Sequence, residues 1–346
     1  MGRPGLLKES LTMRIRRLFS AIDAHAGGQP LRLITSGVPP LHGASLLAMR
    51  EDLATNHDDI RRLLMHEPRG HADMYGAVLT APSSPNVDYG VIFLTNEGYS
   101  TMCGHGIIAL ATILIETGMF PSEGPETRIT FETPVGPIQA RATVNQDRVL
   151  AVRFRNVPAF RIAHKLPIQI GDCSIEVDVA FGGAWYAIVP DHALGLRLGA
   201  SSARELADTG MQVKRAVSNA LDVVHPVEPH LAGLYGTIIT GAASSSDLSL
   251  RNATIYADGA IDRSPCGTGT SALIACLAAD GNLDIGEPVL NESITGTVFS
   301  GRIVVGTTVS EIPAVVTEIS GQGAVTGTHQ FLVDQDDPVQ DGFRVR

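Results

Sequence analysis

Residues 102–110, Met-Cys-Gly-His-Gly-Ile-Ile-Ala-Leu, return in altered form at residues 265–273, Pro-Cys-Gly-Thr-Gly-Thr-Ser-Ala-Leu. Both segments contain Cys-Gly-x-Gly-x-x-Ala-Leu, and their cysteines, Cys103 and Cys266, are separated by nearly half of the 346-residue chain. Each cysteine follows a β-branched stretch and a short polar loop, and each begins an apolar stretch with helical spacing. The repeat predicts two similar halves, each presenting a thiol at the N-terminus of a helix.

A cysteine at the start of a helix is placed to act as a base. The first helical turn carries about half a positive charge and unpaired backbone N–H groups. These groups favour the thiolate and lower its pKa from about 8.5 towards roughly 3.5–7.5. The adjoining glycines let a small anion approach the backbone. Two such sites facing each other would hold one carboxylate between two thiols; inversion of the neighbouring carbon requires both thiols, and elimination requires one.

Composition restricts the class of protein. Hydrophobic residues make up 44% of the chain and charged residues 18%, which is typical of a globular protein and not of a disordered one. The 26 Lys and Arg against 36 Asp and Glu give a net charge of −10. This charge argues against sequence-independent binding of nucleic acid or of an anionic membrane. No apolar run approaches the roughly 18 residues of a membrane-spanning helix.

The cysteine content and the N-terminal residues indicate the cellular compartment of the protein. Four cysteines in so long a chain do not make a disulfide framework, and we expect free thiols in a cytoplasmic protein. Residues 1–12 lack the apolar stretch of a secretory signal, and they are expected to form a poorly ordered leader.

Strand patterns outnumber helical ones along the chain. Alternating or β-branched stretches predict strands at residues 91–94, 128–132, 149–154, 174–180, 237–240, 254–257 and 303–309. Helical spacing predicts helices at residues 46–55, 60–65, 106–118, 202–221 and 270–281. This mixture predicts an α+β (mixed α/β) fold.

Other interpretations of these residues are weaker. Both copies of the repeat read Gly-x-Gly-x-x-Ala, but the preceding strand ends too early for a dinucleotide-binding turn, and the acidic residues at suitable distances lie in loops. His66 and His71 are one position too far apart for a zinc-binding helix, and Pro68 lies between them. Cys173 and Cys276 are expected to be small buried side chains.

The chain resembles the proline racemase family nearly end to end. The resemblance is carried by these segments: Asp-Ala-His-Ala-Gly-Gly-Gln-Pro (23–30), Glu-Pro-Arg-Gly-His (67–71), Asn-Glu-Gly-Tyr (96–99), Met-Cys-Gly-His-Gly (102–106), Phe-Gly-Gly (181–183) and Asp-Arg-Ser-Pro-Cys-Gly-Thr-Gly-Thr (262–270). It implies a diaminopimelate-epimerase-like fold of two pseudo-symmetric lobes, each with strands wrapped around a central helix. The first lobe is expected to comprise residues 13–145 and 323–346, the second residues 146–322. It also implies catalysis without a cofactor or metal, and it suggests a homodimer.

By the same resemblance, Cys103 and Cys266 are the paired acid and base acting on a pyrrolidine-2-carboxylate. The backbone N–H groups of four residues would hold the carboxylate, and two side chains would face the ring nitrogen. The first set is Gly104, His105, Gly267 and Thr268; the second is His105 and Asp262. His25, Glu67, Arg69 and His71 are expected to be structural.

Three reactions are known in this family: proline racemisation, 4-hydroxyproline 2-epimerisation and dehydration of trans-3-hydroxy-L-proline. Its dehydratases typically carry Thr at the position of Cys266, so Cys266 favours a racemase or epimerase. Residues 73–77, 96–100 and 234–237 resemble the dehydratase branch instead, and Ala26 and Gln29 depart from the usual pattern. A dehydratase therefore remains the alternative of the same class. The alternative of another class is a redox protein with a reversible Cys103–Cys266 disulfide.

Overall fold

The computed structural model describes residues 15–199 and 202–345; the expected leader, residues 1–12, lies outside them. The described residues form five α-helices: α1 (Leu46–Asn56), α2 (Asp58–Met65), α3 (Gly104–Glu116), α4 (Ala203–Ala220) and α5 (Gly267–Ala279). They also form 17 strands joined by hydrogen bonding. The strands are β1 (Ile15–Ala26), β2 (Gln29–Ser36), β3 (Tyr75–Thr80), β4 (Tyr89–Thr95), β5 (Tyr99–Ser100), β6 (Glu126–Thr133), β7 (Gly136–Asn145), β8 (Arg148–Ile170), β9 (Cys173–Phe181), β10 (Trp185–Pro190), β11 (Gly236–Gly241), β12 (Leu250–Tyr256), β13 (Ala260–Ile261), β14 (Pro288–Glu292), β15 (Val298–Val309), β16 (Ile312–Gly321) and β17 (Gly323–Asp334).

The strand pairing repeats itself along the chain. In the first half, β1–β2, β3–β4, β4–β5 and β6–β7 are antiparallel, whereas β2–β3 and β4–β6 are parallel. In the second half, β9–β10, β11–β12, β12–β13 and β14–β15 are antiparallel, whereas β10–β11 and β12–β14 are parallel. Helix α3 follows β5 just as α5 follows β13. The mixed fold and its two pseudo-symmetric lobes are therefore confirmed.

Strands pass between the two lobes. Residues 148–155 of β8 pair with β7, and residues 160–170 of the same strand pair with β9. The corresponding element of the second half is split into β16, which pairs with β15, and β17, which pairs with β1. β16 also pairs with β8. No observation tests the lobe boundaries expected at residues 145/146 and 322/323, and they remain a prediction.

Each lobe is built around one fully enclosed helix. Every residue of α3 from 104 to 115 is buried, and so is every residue of α5 from 267 to 276. Apolar residues surround both helices on all sides, as expected for helices at the centre of a fold. The outer helix α4 is amphipathic: it buries Leu206, Gly210, Val213 and Val217 at helical spacing and covers the second lobe. No helix of the described residues has both the length and the apolar character needed to cross a bilayer.

Candidate active site

The two motif cysteines are the N-cap residues of the two central helices. The Cys103 Sγ accepts a hydrogen bond from the Gly106 N–H at 3.2 Å, and the Cys266 Sγ accepts one from the Gly269 N–H at 3.4 Å. A Cβ added to Gly106 would lie 2.9 Å from the Cys103 Sγ, and one added to Gly269 would lie 3.0 Å from the Cys266 Sγ. The second glycine of each motif therefore leaves room for its own cysteine sulfur, which accounts for a pattern that otherwise looks like a nucleotide-binding turn.

The first glycine of each motif brings the two helices together. A Cβ on Gly104 would lie 2.7 Å from the Gly267 Cα, and a Cβ on Gly267 would lie 2.8 Å from the Gly104 Cα. Both positions also touch the Phe154 ring of β8, at 2.9 and 3.0 Å. The two helix N-termini thus meet backbone to backbone, and their partial positive charges act on one small volume.

That volume is a small cavity of about 20 Å³ lined by buried residues, roughly the space of one water molecule. All seven residues that the sequence singled out line it: Cys103, Gly104, His105, Asp262, Cys266, Gly267 and Thr268. We call it the reaction cavity. The structure brings the candidate residues together; their chemical roles remain proposals.

Burial acts against ionisation of both thiols in this closed state. Cys103 is 4% exposed and Cys266 is 6% exposed. Burial, together with the nearby Asp262 carboxylate, raises the pKa of the Cys266 thiol to about 12. Burial also raises the pKa of Cys103. The expectation of a lowered pKa is wrong for the closed cavity, because the loss of water outweighs the hydrogen bonds that each sulfur forms with a backbone N–H group and with nearby hydroxyl groups.

His105 is neutral and lies against Cys103. Burial lowers the pKa of His105 to about 3, opposed by its hydrogen bond to the Pro30 carbonyl. Because one ring nitrogen donates to that carbonyl, the other is left as an acceptor. The ring nitrogens lie 3.2 and 3.5 Å from the Cys103 Sγ. His105 can therefore accept a hydrogen bond, either from the Cys103 thiol or from a substrate ammonium.

Asp262 is also buried at the reaction cavity. Its Oδ1 accepts hydrogen bonds from the Ser264 N–H at 2.8 Å and from the Ser264 hydroxyl at 2.7 Å. Burial nevertheless raises the pKa of Asp262 to about 6. A cation entering the cavity would stabilise the carboxylate, so the arrangement suits a substrate ammonium.

Four tyrosines also line the reaction cavity, and the sequence pattern assigned a role to none of them. They are Tyr75, Tyr186, Tyr235 and Tyr256. The Tyr235 and Tyr256 rings stack with centroids 5.7 Å apart, and the Tyr186 hydroxyl lies 2.7 Å from the Thr268 Oγ1 and 3.6 Å from the Cys266 Sγ. The sequence could have drawn attention to these tyrosines, because the chain holds only six in all. Two of these four also lie in segments noted for their resemblance to the dehydratase branch.

The backbone at the two cysteines differs. Cys103 has an ordinary extended conformation, with φ −142°. Cys266 has φ +63° and ψ 108°, a region that non-glycine residues rarely adopt. Such strain costs on the order of 1–3 kcal/mol and is commonly found at functional sites.

The remaining residues from the sequence reasoning lie elsewhere. Arg69 holds the C-terminal segment in place: its guanidinium donates hydrogen bonds to the Leu332 and Gln340 carbonyls and forms a salt bridge with Asp337. Cys276 is buried, as expected, but Cys173 is exposed because it begins β9 directly after a turn. Helix α2 ends at Met65, so His66 and His71 do not share a helix.

A fold of two lobes with the same strand order, each contributing a cysteine-capped helix to one cavity, belongs to the diaminopimelate-epimerase-like class. Residues 21–344 match the family model described as proline racemase. The chain belongs to the proline racemase family.

Three curated relatives span different reactions within this family. The chain is 43% identical over 331 residues to a trans-3-hydroxy-L-proline dehydratase of Bacillus cereus, covering 96% of this chain and 99% of the relative. It is 42% identical over 335 residues to a 3-hydroxyproline 2-epimerase of Burkholderia multivorans, covering 96% and 100%. It is 38% identical over 332 residues to a proline racemase of Clostridioides difficile, covering 96% and 99%.

The chain is similar throughout to a solved structure of a hydroxyproline epimerase from Agrobacterium vitis with bound trans-4-hydroxy-L-proline, with a TM-score of 0.90, 31% identity and coverage of 96% of each chain.

Proposed function

We propose that this protein inverts the α-carbon of a pyrrolidine-2-carboxylate without a cofactor, with Cys103 and Cys266 as the paired acid and base. The observation that supports this most is the pair of cysteine N-caps, one from each lobe, lining a single closed cavity. Inversion needs one group to remove a proton and another to return one to the opposite face, and this cavity offers two thiols of the same kind.

The mechanism follows from these positions. One sulfur, as thiolate, takes the α-proton, and the electron pair of the broken C–H bond delocalises into the substrate carboxylate. The backbone N–H groups at the starts of α3 and α5 stabilise the charge that develops there. The other cysteine then gives its thiol proton to the opposite face of the carbon. The two sulfurs end with exchanged protonation states, from which the reverse reaction begins.

Asp262 and His105 act on the ring nitrogen. The Asp262 carboxylate pairs with the substrate ammonium, and the free ring nitrogen of His105 accepts a hydrogen bond from it. A charged ammonium makes the α-carbon more acidic, and its arrival also favours the thiolate in a cavity where burial otherwise raises the pKa of both cysteines.

The tyrosines favour a hydroxylated ring over plain proline. Burial raises the pKa of all four phenols, so each stays a neutral hydroxyl that can donate and accept hydrogen bonds. Sites that hydrogen-bond a substrate hydroxyl discriminate strongly against an analogue lacking it. We therefore infer that a hydroxyproline is the preferred substrate.

Dehydration of trans-3-hydroxy-L-proline is the second candidate. A 43% identical relative carries that name, and the Tyr186 hydroxyl lies beside Cys266. In this reaction the Cys103 thiolate takes the α-proton, the new C2–C3 double bond expels hydroxide, and the Cys266 thiol protonates it to water. The enamine product then tautomerises to an imine.

Proton NMR in D₂O distinguishes these reactions. L-Proline, trans-4-hydroxy-L-proline and trans-3-hydroxy-L-proline are supplied separately, with Cys103→Ser as the control for background exchange. We expect loss of the α-proton signal and formation of the opposite C2 configuration, fastest with a hydroxyproline. An imine formed from the 3-hydroxy compound alone would establish the dehydratase. Reversible loss of two thiols without any α-proton exchange would establish the redox alternative.

The described residues hold all four cysteines as free thiols, which supports a cytoplasmic location. A homodimer is proposed from the family resemblance, and light scattering on the purified protein measures it directly.

A further inference from the structure

A larger cavity adjoins the reaction cavity between the two lobes. Its volume is about 410 Å³, within the range of small-molecule binding sites. Tyr235 lines both cavities. Leu47 on its wall is 40% exposed, so the cavity reaches the protein surface. We call this cavity the vestibule.

Two cations from opposite lobes line the vestibule without a carboxylate partner. Arg50 lies on α1 and Lys214 on α4, and neither forms a salt bridge with any described residue. The Lys214 ammonium donates to the Ala257 carbonyl at 3.0 Å. The Arg50 guanidinium donates to the Tyr99 carbonyl at 3.3 Å, while its buried Nε has no hydrogen-bond partner among the described residues. Burial lowers the pKa of both side chains, so each charge is partly desolvated without a compensating anion.

Among the described residues, the nearby carboxylates do not form a salt bridge with Arg50 or Lys214. Glu97 also lines the vestibule, but it pairs with Arg344. Glu51, the neighbour of Arg50 on α1, acts on that arginine electrostatically without forming a salt bridge with it. Apolar side chains, including Trp185 and Leu231, form much of the remaining wall. Cations beside an apolar wall suit a small carboxylate that carries a hydrocarbon ring.

We propose that the vestibule is an outer binding site, where the carboxylate of the amino-acid substrate is held by Arg50 and Lys214 before it enters the reaction cavity. The identity of the ligand rests on the proposed function. The closed reaction cavity has room for about one water molecule, so a substrate must wait outside it until Tyr235 and its neighbours move. A site that holds the carboxylate next to Tyr235 raises the concentration of substrate where the cavity opens.

The first test measures binding in the vestibule alone. Iodoacetamide at alkaline pH alkylates Cys103 and Cys266 when the reaction cavity opens and then fills it, and peptide mass mapping distinguishes these two sites from the exposed Cys173. Calorimetric titration with L-proline is expected to give one site per chain. The double variant Arg50→Met/Lys214→Met, alkylated in the same way, should bind at least tenfold more weakly. Lys165→Met, which removes an exposed lysine of β8, should bind as the parent protein does.

Two further probes locate the ligand. L-Prolinamide, which lacks the carboxylate charge, is expected not to compete with L-proline. Trp185 is the only tryptophan in the chain and lines the vestibule, so its fluorescence should change saturably over the same concentrations of L-proline. Binding that is absent from the alkylated protein, or equal in the double variant, would overturn the proposal.

A kinetic test uses the unmodified protein. If the vestibule supplies substrate to the reaction cavity, Arg50→Met and Lys214→Met should each lower kcat/KM about tenfold and leave kcat within twofold. Equal losses in both constants would assign the two side chains a structural role instead. If no α-proton exchange occurs but binding to the alkylated protein still requires Arg50 and Lys214, the proposed function fails and the carboxylate site stands.

Discussion

The two cysteines come from one repeated motif, but they meet different neighbours. Cys103 lies against the His105 ring, whereas Cys266 lies near Asp262 and the Tyr186 hydroxyl. Only Cys266 has a strained backbone. Because the surroundings differ, the two directions of inversion should have different rates, even though the chemical groups are the same.

Replacing each cysteine separately tests this assignment. Cys103→Ser should abolish both inversion and dehydration of every substrate. Cys266→Ser should abolish inversion, at a cost on the order of 10²–10⁴-fold, the usual contribution of a general acid or base. It should keep exchange of the α-proton in one enantiomer only, because Cys103 still reaches one face. Full racemisation by Cys266→Ser, followed by NMR in D₂O, would contradict a two-thiol mechanism.

Asp262 should make the folded protein less stable at neutral pH. Its pKa is about 6 in the folded state against 3.8 as its ordinary value. The folded state therefore binds this proton more tightly than the unfolded state, and stability falls as pH rises from about 4 to 6. The loss is on the order of 3 kcal/mol above that range.

Asp262→Asn keeps an oxygen for the two Ser264 bonds and does not titrate. Its Tm should match that of the parent protein below about pH 4 and exceed it by a few degrees above about pH 6, while activity is lost. Thermal unfolding across pH 3.5–8 measures both curves. A parent protein that is the more stable of the two at pH 8 would show that Asp262 is held by partners that outweigh its burial.

Among the elements, the starts of α3 and α5 are in direct backbone contact at the site. A methyl group at Gly104 would meet the Gly267 backbone, which cannot rotate away. Gly104→Ala should therefore destabilise the fold by about 1–3 kcal/mol and separate the two thiols. We expect activity to fall by more than stability alone explains, as measured at a temperature where the variant stays folded.

Gly306→Ala provides the matched control, since a Cβ there meets no atom within 4 Å. A fully active Gly104→Ala variant would mean that the two helices can move apart without disturbing the chemistry.

The elements also show what the sequence pattern can and cannot reveal. Helices predicted at residues 106–118 and 270–281 begin at Gly104 and Gly267, because the motif glycines already belong to the first turn. Strand β8 continues to Ile170 through Pro158 and Pro167, two residues that normally argue against a strand interior. Among the strands that the pattern did not predict, β1, β2 and β16 mix polar and apolar residues irregularly. β7 does alternate, but two of its four buried residues are alanine, which favours strands only weakly.

The repeat contains six of the seven candidate residues, because a duplicated motif specifies both copies at once, and the family resemblance added Asp262. The tyrosines come from separate segments: Tyr75, Tyr186 and Tyr256 lie on β3, β10 and β12, and Tyr235 lies just before β11. Their proximity depends on the pairing of distant strands, which no local pattern encodes. The direction of the cysteine pKa shift depends on the closure of the cavity and was equally inaccessible.

At the scale of the molecule, one C-terminal arginine joins the two lobes. Arg344 pairs with Glu97, in the turn between β4 and β5, and its Nη2 lies 2.6 Å from the Asp258 Oδ2, in the turn between β12 and β13. These two turns are equivalent in the repeat, and each precedes a motif cysteine. The bridge therefore favours the closed arrangement of the cleft.

Arg344→Met should weaken binding of pyrrole-2-carboxylate, a planar carboxylate expected to bind the closed cleft, by up to about fivefold, the effect of a partly exposed ion pair worth 0.2–1 kcal/mol. High salt should weaken binding to the parent protein towards the same value. Arg302→Met, which breaks an ion pair with Glu318 between adjacent strands of one lobe, serves as the control. Equal affinities in Arg344→Met and the parent protein would show that the bridge does not bear on closure.

The passage of strands between lobes has a consequence for the origin of this architecture. Each half of the chain gives its last strand to the other half: the end of β8 pairs with β9, and β17 pairs with β1. A polypeptide of half this length would leave one edge of its sheet unpaired, and its last strand could pair with the same edge of a second copy. Two copies would assemble by reciprocal exchange, and a two-fold axis would pass through the contact now made by Gly104 and Gly267. Joining two such genes end to end would keep the assembly intact and free each copy to diverge, as Cys103 and Cys266 have in their surroundings.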